Sequence, residues 1–118
     1  MLVKRIFNFA AAHNLVRYHG KCEALHGHNY RLEVTVEGTP NEEGMVIDFL
    51  ELKKIVKDEV LNILDHSYIN NIIEQPTAEN ISMWIWNKLE KKLKRDNCKL
   101  YEVALYETEN NVVYYRGE

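Results

Sequence analysis

Cys22-Glu23-Ala24-Leu25-His26-Gly27-His28-Asn29-Tyr30-Arg31-Leu32-Glu33-Val34-Thr35-Val36-Glu37 is the stretch that decides the fold. From His26 it alternates: His28, Tyr30, Leu32, Val34 and Val36 fall on one side, and Asn29, Arg31, Glu33, Thr35 and Glu37 on the other. Period-two alternation of that length predicts a strand over 26–37 with one buried face. The same geometry sets the two histidines. One glycine apart in an extended segment, their imidazoles project to the same side, with the Cys22 thiol a short way upstream.

Working back toward the N-terminus, residues 2–12 read as a strand, with Val3, Phe7, Phe9 and Ala11 on one parity and His13 continuing it. Consecutive strands pair as a hairpin by default, which brings His13 to the His26/His28 pair. The connecting loop 14–25 is polar and turns at Gly20. Three imidazoles suit zinc and leave a fourth position open for water or substrate. The alternative is a set of structural imidazoles bonded to backbone.

Working forward, Gly38-Thr39-Pro40-Asn41 ends the second strand, and Asp48 is an N-cap for a helix over 49–64 whose apolar stripe runs from Leu52 to Leu64. Leu64-Asp65-His66-Ser67 leaves that helix, and Asn70-Asn71 and Gln75-Pro76 mark a loop. Thr77 caps a second helix over 78–95 with Ile81, Ile85, Leu89 and Leu93 on one face; Trp84 and Trp86 read as core or interface. The Lys-rich end from Lys88 to Arg95 suits a helix C-terminus and a solvated face. Strands over 100–108 and 112–116 follow, joined by Glu109-Asn110-Asn111. The order β-β-α-α-β-β makes residues 1–118 a single α+β domain, a four-stranded antiparallel sheet with two helices between its second and third strands.

The net charge is -3 with both signs interleaved, so the concentrated positive charge that nucleic-acid binding uses is absent. No apolar run approaches the roughly 20 residues of a membrane span. Met1-Leu2-Val3-Lys4-Arg5-Ile6 lacks the apolar stretch of a signal peptide, and a cytoplasmic location is expected. There Cys22 and Cys98 stay reduced; Cys98 reads as incidental near a helix end. Cys22, in a polar loop near a cation, is placed for reactivity, the alternative being a small buried hydrophobe. Asp65 and His66 form a candidate carboxylate–imidazole pair, although sequence neighbours need not touch side chain to side chain. Glu107 is an acid on the apolar parity of its strand and needs a partner. A ligand with two parallel N–H donors is one; a lysine or arginine is the other.

Phe9-Ala10-Ala11-Ala12-His13, Cys22-x-x-x-His26-Gly27-His28, Gly44-Met45-Val46-Ile47-Asp48-Phe49, Leu64-Asp65-His66, Pro76-Thr77-Ala78-Glu79-Asn80 and Glu107-Thr108 together resemble the 6-pyruvoyl-tetrahydropterin synthase superfamily. The three residues between Cys22 and His26 resemble its 6-carboxy-5,6,7,8-tetrahydropterin synthase subgroup; a further subgroup has glutamate for the cysteine, and Glu23 stands beside Cys22 here. The resemblance implies a T-fold whose sheets close into a barrel from several subunits, typically a hexamer of two trimers with active sites between subunits. It implies zinc on His13, His26 and His28, with Cys22 as proton-transferring base and acid and Asp65 orienting His66 in a relay. It implies that Glu107 receives the pterin's N–H groups, with Thr77 and Ala78 against the pterin edge. Arg17 and Lys21 are candidates for the substrate's triphosphate. The activity implied is a lyase converting 7,8-dihydroneopterin triphosphate to 6-carboxy-5,6,7,8-tetrahydropterin, acetaldehyde and triphosphate on the route to queuosine. Triphosphate elimination by a 6-pyruvoyl synthase, an aldolase-type reaction toward folate, and a non-catalytic zinc- or pterin-binding module are the alternatives.

Overall fold

The computed structural model describes residues 1–118. Strands β1 (Leu2–His13) and β2 (His26–Gly38) form the predicted antiparallel hairpin, with His13 opposite His26 and Ala11 opposite His28. Asp48 caps α1 (Phe49–Val56), its Oδ1 accepting from the Leu50 N–H at 2.9 Å. That helix continues through a wider turn at Lys57–Leu61 and a last turn at Asn62–Leu64, so the predicted 49–64 span is filled with one local widening. The widening leaves Leu52, Val56, Val60 and Leu64 all buried on one face.

Thr77 caps α2 (Ala78–Leu89), its Oγ1 accepting from the Asn80 N–H at 3.1 Å. This helix stops short of the expected 95. Leu93 N still donates to Leu89 O, but Arg95 N bonds Cys98 O and turns the chain into β4 (Cys98–Thr108) while Leu93 is buried. The strand therefore starts at Cys98, which is a buried strand residue rather than a helix-end bystander. Strand β5 (Asn111–Tyr115) closes the chain's sheet at one edge.

At the other edge the sheet carries a strand that the sequence did not predict. Ser67–Tyr68, here β3, runs parallel to β1, pairing with Ala11 and Ala12. Two residues are too short to show periodicity, and only the chain's return past β1 creates the pairing. The observed sheet is thus five-stranded and mixed, β3-β1-β2-β4-β5, rather than four-stranded and antiparallel. The core lies between its odd-parity β1 face and the helices: Phe7, Phe9, Tyr30, Leu32, Val34, Val103 and Leu105 meet Leu52, Ile81, Ile85 and Leu89. Trp86 joins that core, against Tyr115. The opposite face of the sheet carries no helix.

Candidate functional site

The hairpin register puts the three histidines on the core face, at the end of the sheet where the helices no longer cover it. Their rings pack edge to face, centroids 4.7 to 5.0 Å apart. His13 Nδ1 lies 2.8 Å from the Pro76 carbonyl oxygen, and His26 Nδ1 lies 2.9 Å from that of Ala24. A carbonyl only accepts, so both Nδ1 atoms carry the proton and both Nε2 atoms present lone pairs. Those two Nε2 atoms face each other at 3.2 Å. Two lone pairs at that distance repel unless a cation lies between them. Nitrogens held about 2.0–2.1 Å from one tetrahedral zinc are themselves about 3.3 Å apart. The third, His28 Nε2, is buried with no hydrogen-bond partner, and the three ligand atoms lie within 4.8 Å of one another. Burial lowers the pKa of His28, outweighing the Glu107 carboxylate that raises it, and so favours the neutral, metal-binding imidazole. The donor set fits a divalent metal of zinc type.

Tyr30 closes the site from below. Fully buried, it stacks on Phe9 with centroids 4.9 Å apart and stands edge-on to His13 and His28. Burial, with Glu107 and Glu23 nearby, pushes its phenol pKa well up, so it stays neutral. Sequence reading assigned it only to the core, though its shared parity with His28 is a signal for the position.

Glu107 has neither lysine nor arginine for a partner. Its carboxylate oxygens lie 3.8 Å from His13 Nε2 and 3.8 Å from His28 Nε2. The pairing of β4 with β5 slips between Tyr106 and Thr108, so Glu107 occupies a bulge, a device that re-aims a side chain. Thr77, Ala78 and Glu107 line one cleft of about 520 Å³ with Leu15 and Val113. The three residues expected against the pterin are therefore together, beside the histidines.

The other predicted residues stand apart from them. Asp65 and His66 do touch: Asp65 Oδ1 lies 3.1 Å from His66 Nδ1 and accepts from the Ala10 N–H at 3.0 Å. The bond from Ala10 holds the Asp65 carboxyl below its usual range. His66 sits in the left-handed region at φ 60°, its N–H bonded to Ala10 O. It lines a second cleft, of about 420 Å³, together with Ala10, Ala11, Gly27, His28 and Asn29, residues of both parities of β1 and β2. Within one chain His66 and Glu107 thus line separate clefts. Cys22 is exposed, its thiol 3.5 Å from Val16 O. Glu23 Oε1 accepts from the Leu15 N–H at 3.1 Å and lies 3.8 Å from His26 Nδ1. Arg17 is held 3.4 Å from Glu74, and Lys21 pairs backbone with Tyr18 at the loop tip.

A five-stranded α+β sheet with three converging histidines and a bulge-aimed carboxylate defines a T-fold protein with a metal-type site at the open end of its sheet. Residues 2–118 match the family model described as 6-pyruvoyl tetrahydropterin synthase, and the chain belongs to that family. The chain is similar to the 6-pyruvoyl tetrahydrobiopterin synthase of Dictyostelium discoideum, 44% identical over 86% of this chain and 78% of the relative. Similarity to the dihydroneopterin monophosphate aldolase of Pyrococcus furiosus is 48% identity over 72% of each chain. For the 6-carboxy-5,6,7,8-tetrahydropterin synthase of Synechocystis the identity is 43%, over 76% of this chain and 75% of the relative. The solved structure of the Caenorhabditis elegans 6-pyruvoyl tetrahydropterin synthase superposes with a TM-score of 0.84 at 27% identity, covering 100% of this chain and 96% of that one. The chain is accordingly a pterin enzyme with relatives at similar identity in three activities.

Proposed function

We propose that this protein is a zinc-dependent carbon–carbon lyase of the 6-carboxy-5,6,7,8-tetrahydropterin synthase type, acting on 7,8-dihydroneopterin triphosphate in queuosine biosynthesis. The observation that carries the metal and the pterin together is the Glu107 carboxylate beside the three histidines. The spacing Cys22-x-x-x-His26 supports the subgroup. His13, His26 and His28 hold the zinc, which when bound supplies Lewis-acid stabilisation of oxyanions on the substrate side chain.

The rest of the chemistry falls to the chain's own groups. Glu107 receives the amino and ring N–H of the pterin as a two-oxygen acceptor, and Thr77 and Ala78 hold the ring's edge. Cys22 removes and returns protons at the side-chain carbons, which requires its loop to turn the thiol from Val16 toward the histidines. Asp65 fixes the His66 ring through Nδ1 and leaves Nε2 to exchange protons. His66 and Glu107 line separate clefts within one chain, so a neighbouring subunit supplies the relay, and the working unit is an oligomer, a hexamer by family resemblance.

Incubating zinc-loaded protein with 7,8-dihydroneopterin triphosphate and identifying products by mass spectrometry tests this. 6-Carboxy-tetrahydropterin with acetaldehyde is the expected result; loss of triphosphate with the side chain retained makes the protein a 6-pyruvoyl synthase instead. A second reading has its own support. Glu23 reaches toward His26 while Cys22 is turned away, which favours an aldolase-type base at Glu23 and a 6-hydroxymethyl product. No turnover with zinc bound leaves a binding module.

A further inference from the structure

The loop that carries Cys22 makes few bonds of its own. Leu15 and Glu23 pair at its base and Tyr18 and Lys21 at its tip, leaving the Val16 and Arg17 N–H groups without a backbone acceptor. One side chain satisfies both. Gln75 Oε1 accepts from Val16 N at 2.9 Å and from Arg17 N at 3.1 Å, and Gln75 Nε2 donates to Arg17 O at 2.8 Å. The amide thus imitates a strand partner for the two residues, one of which supplies the carbonyl that receives the Cys22 thiol.

The other connections of Gln75 run into the site. The next residue, Pro76, offers the carbonyl that fixes the proton of His13 on Nδ1. The Gln75 carbonyl receives the Asn80 side-chain amide at 2.8 Å and the Thr77 N–H at 2.9 Å, at the start of the helix whose first residues line the Glu107 cleft. Residues 75 and 76 therefore join three things: a histidine of the metal set, the thiol loop and the pterin end of α2. Only the middle one depends on the Gln75 side chain, since the other two use backbone carbonyls.

We infer that Gln75 is a positioning residue, which holds Val16 and Arg17 so that the Cys22 thiol rests against the Val16 carbonyl at a fixed starting place, from which the loop turns it toward the histidines. The inference rests on the role proposed for Cys22, yet its test needs no pterin. The zinc-loaded protein is alkylated with iodoacetamide at fixed pH, and modification at Cys22 is followed by peptide mass spectrometry, which separates it from Cys98. In Gln75→Ala the Val16 carbonyl loses its fixed place, and the freed thiol is expected to react about fivefold faster or more, with zinc content unchanged. Gln75→Glu keeps both acceptor contacts but sets a carboxylate oxygen against the Arg17 carbonyl in place of the Nε2 donation, and is expected to fall between wild type and Gln75→Ala. Should Gln75→Ala not fold, Gln75→Asn, a methylene too short to span the gap, gives the same readout. A Cys22 rate within twofold of wild type in the Ala or Asn variant, or loss of zinc along with the rate change, overturns the inference. Turnover assays are separate: a failure to make any pterin product removes the enzymatic reading and leaves the alkylation result standing.

Discussion

At the scale of single residues, the site rests on where protons sit. Pro76 O and Ala24 O place the His13 and His26 protons on Nδ1, and His28 Nε2 is left buried and unpartnered. His28→Ala removes one of three ligands. Zinc content measured by plasma emission is expected to fall from about one per chain, and affinity by chelator competition to drop more than about 100-fold, beyond what an outer-shell partner costs. Wild-type stoichiometry in that variant would make the imidazoles structural. The triad was legible in sequence because two of its members share a strand parity and the third ends the preceding strand. The Pro76 carbonyl and the Gln75 clamp were not, because each depends on where two distant segments meet, and the bulge at Glu107 was not, because a register slip in a hairpin leaves no trace in the alternation.

At the scale of elements, the helix-free side of the sheet buries charge. Glu33 is nearly inaccessible, with Lys4 Nζ at 2.8 Å and Arg31 Nε at 2.8 Å. Burial raises its pKa, but the Lys4 and Arg31 hydrogen bonds together hold the carboxyl below its usual 4.5. A depressed folded value means stability present above about pH 4.5 and lost as the pH falls through the lower folded value. Glu33→Gln is expected to cost about 1–3 kcal/mol at neutral pH. Its urea midpoint is expected to flatten below pH 4.5, where the wild type continues to fall. Parallel midpoint-against-pH curves for the two proteins would assign the acid loss to other groups. The two N-caps, Asp48 and Thr77, were readable because a cap is a local contact. Strand β3 and the early end of α2 were not, since both answer to contacts with distant chain.

At the scale of the whole molecule, the chain is drawn out. Its extents are 54 × 26 × 25 Å and its radius of gyration is 15.1 Å, against about 13.5 Å for a compact domain of this length. Leu2, Ile6 and Tyr114 are exposed on the helix-free face, and the sheet ends in short edge strands. The oligomer proposed above would cover those exposed apolar side chains. Light scattering is expected to give a mass near six times the 13.9 kDa chain. His66→Ala and Glu107→Ala chains, each inactive alone, are expected on co-refolding to recover about a quarter of wild-type turnover if each site draws on two subunits. A monomer, or no recovery in the mixture, would place the whole site within one chain. No helix is long and apolar enough to cross a membrane.

The sequence by itself determined the strand parities, the caps, the hairpin and hence the meeting of His13 with His26 and His28, because these follow from period-two geometry and contacts a few residues apart. Tertiary structure alone decided the rest. The chain's return past β1 made the parallel β3 edge and brought Asp65 and His66 against Ala10 of that edge. Residues 70–76 were packed against the Cys22 loop, and a slip in the β4–β5 register turned Glu107 toward the histidines. The β3 edge and the Gln75 contacts depend on packing between segments 55 and 59 residues apart, and the slip on an irregularity within a short hairpin; no period-two pattern encodes either.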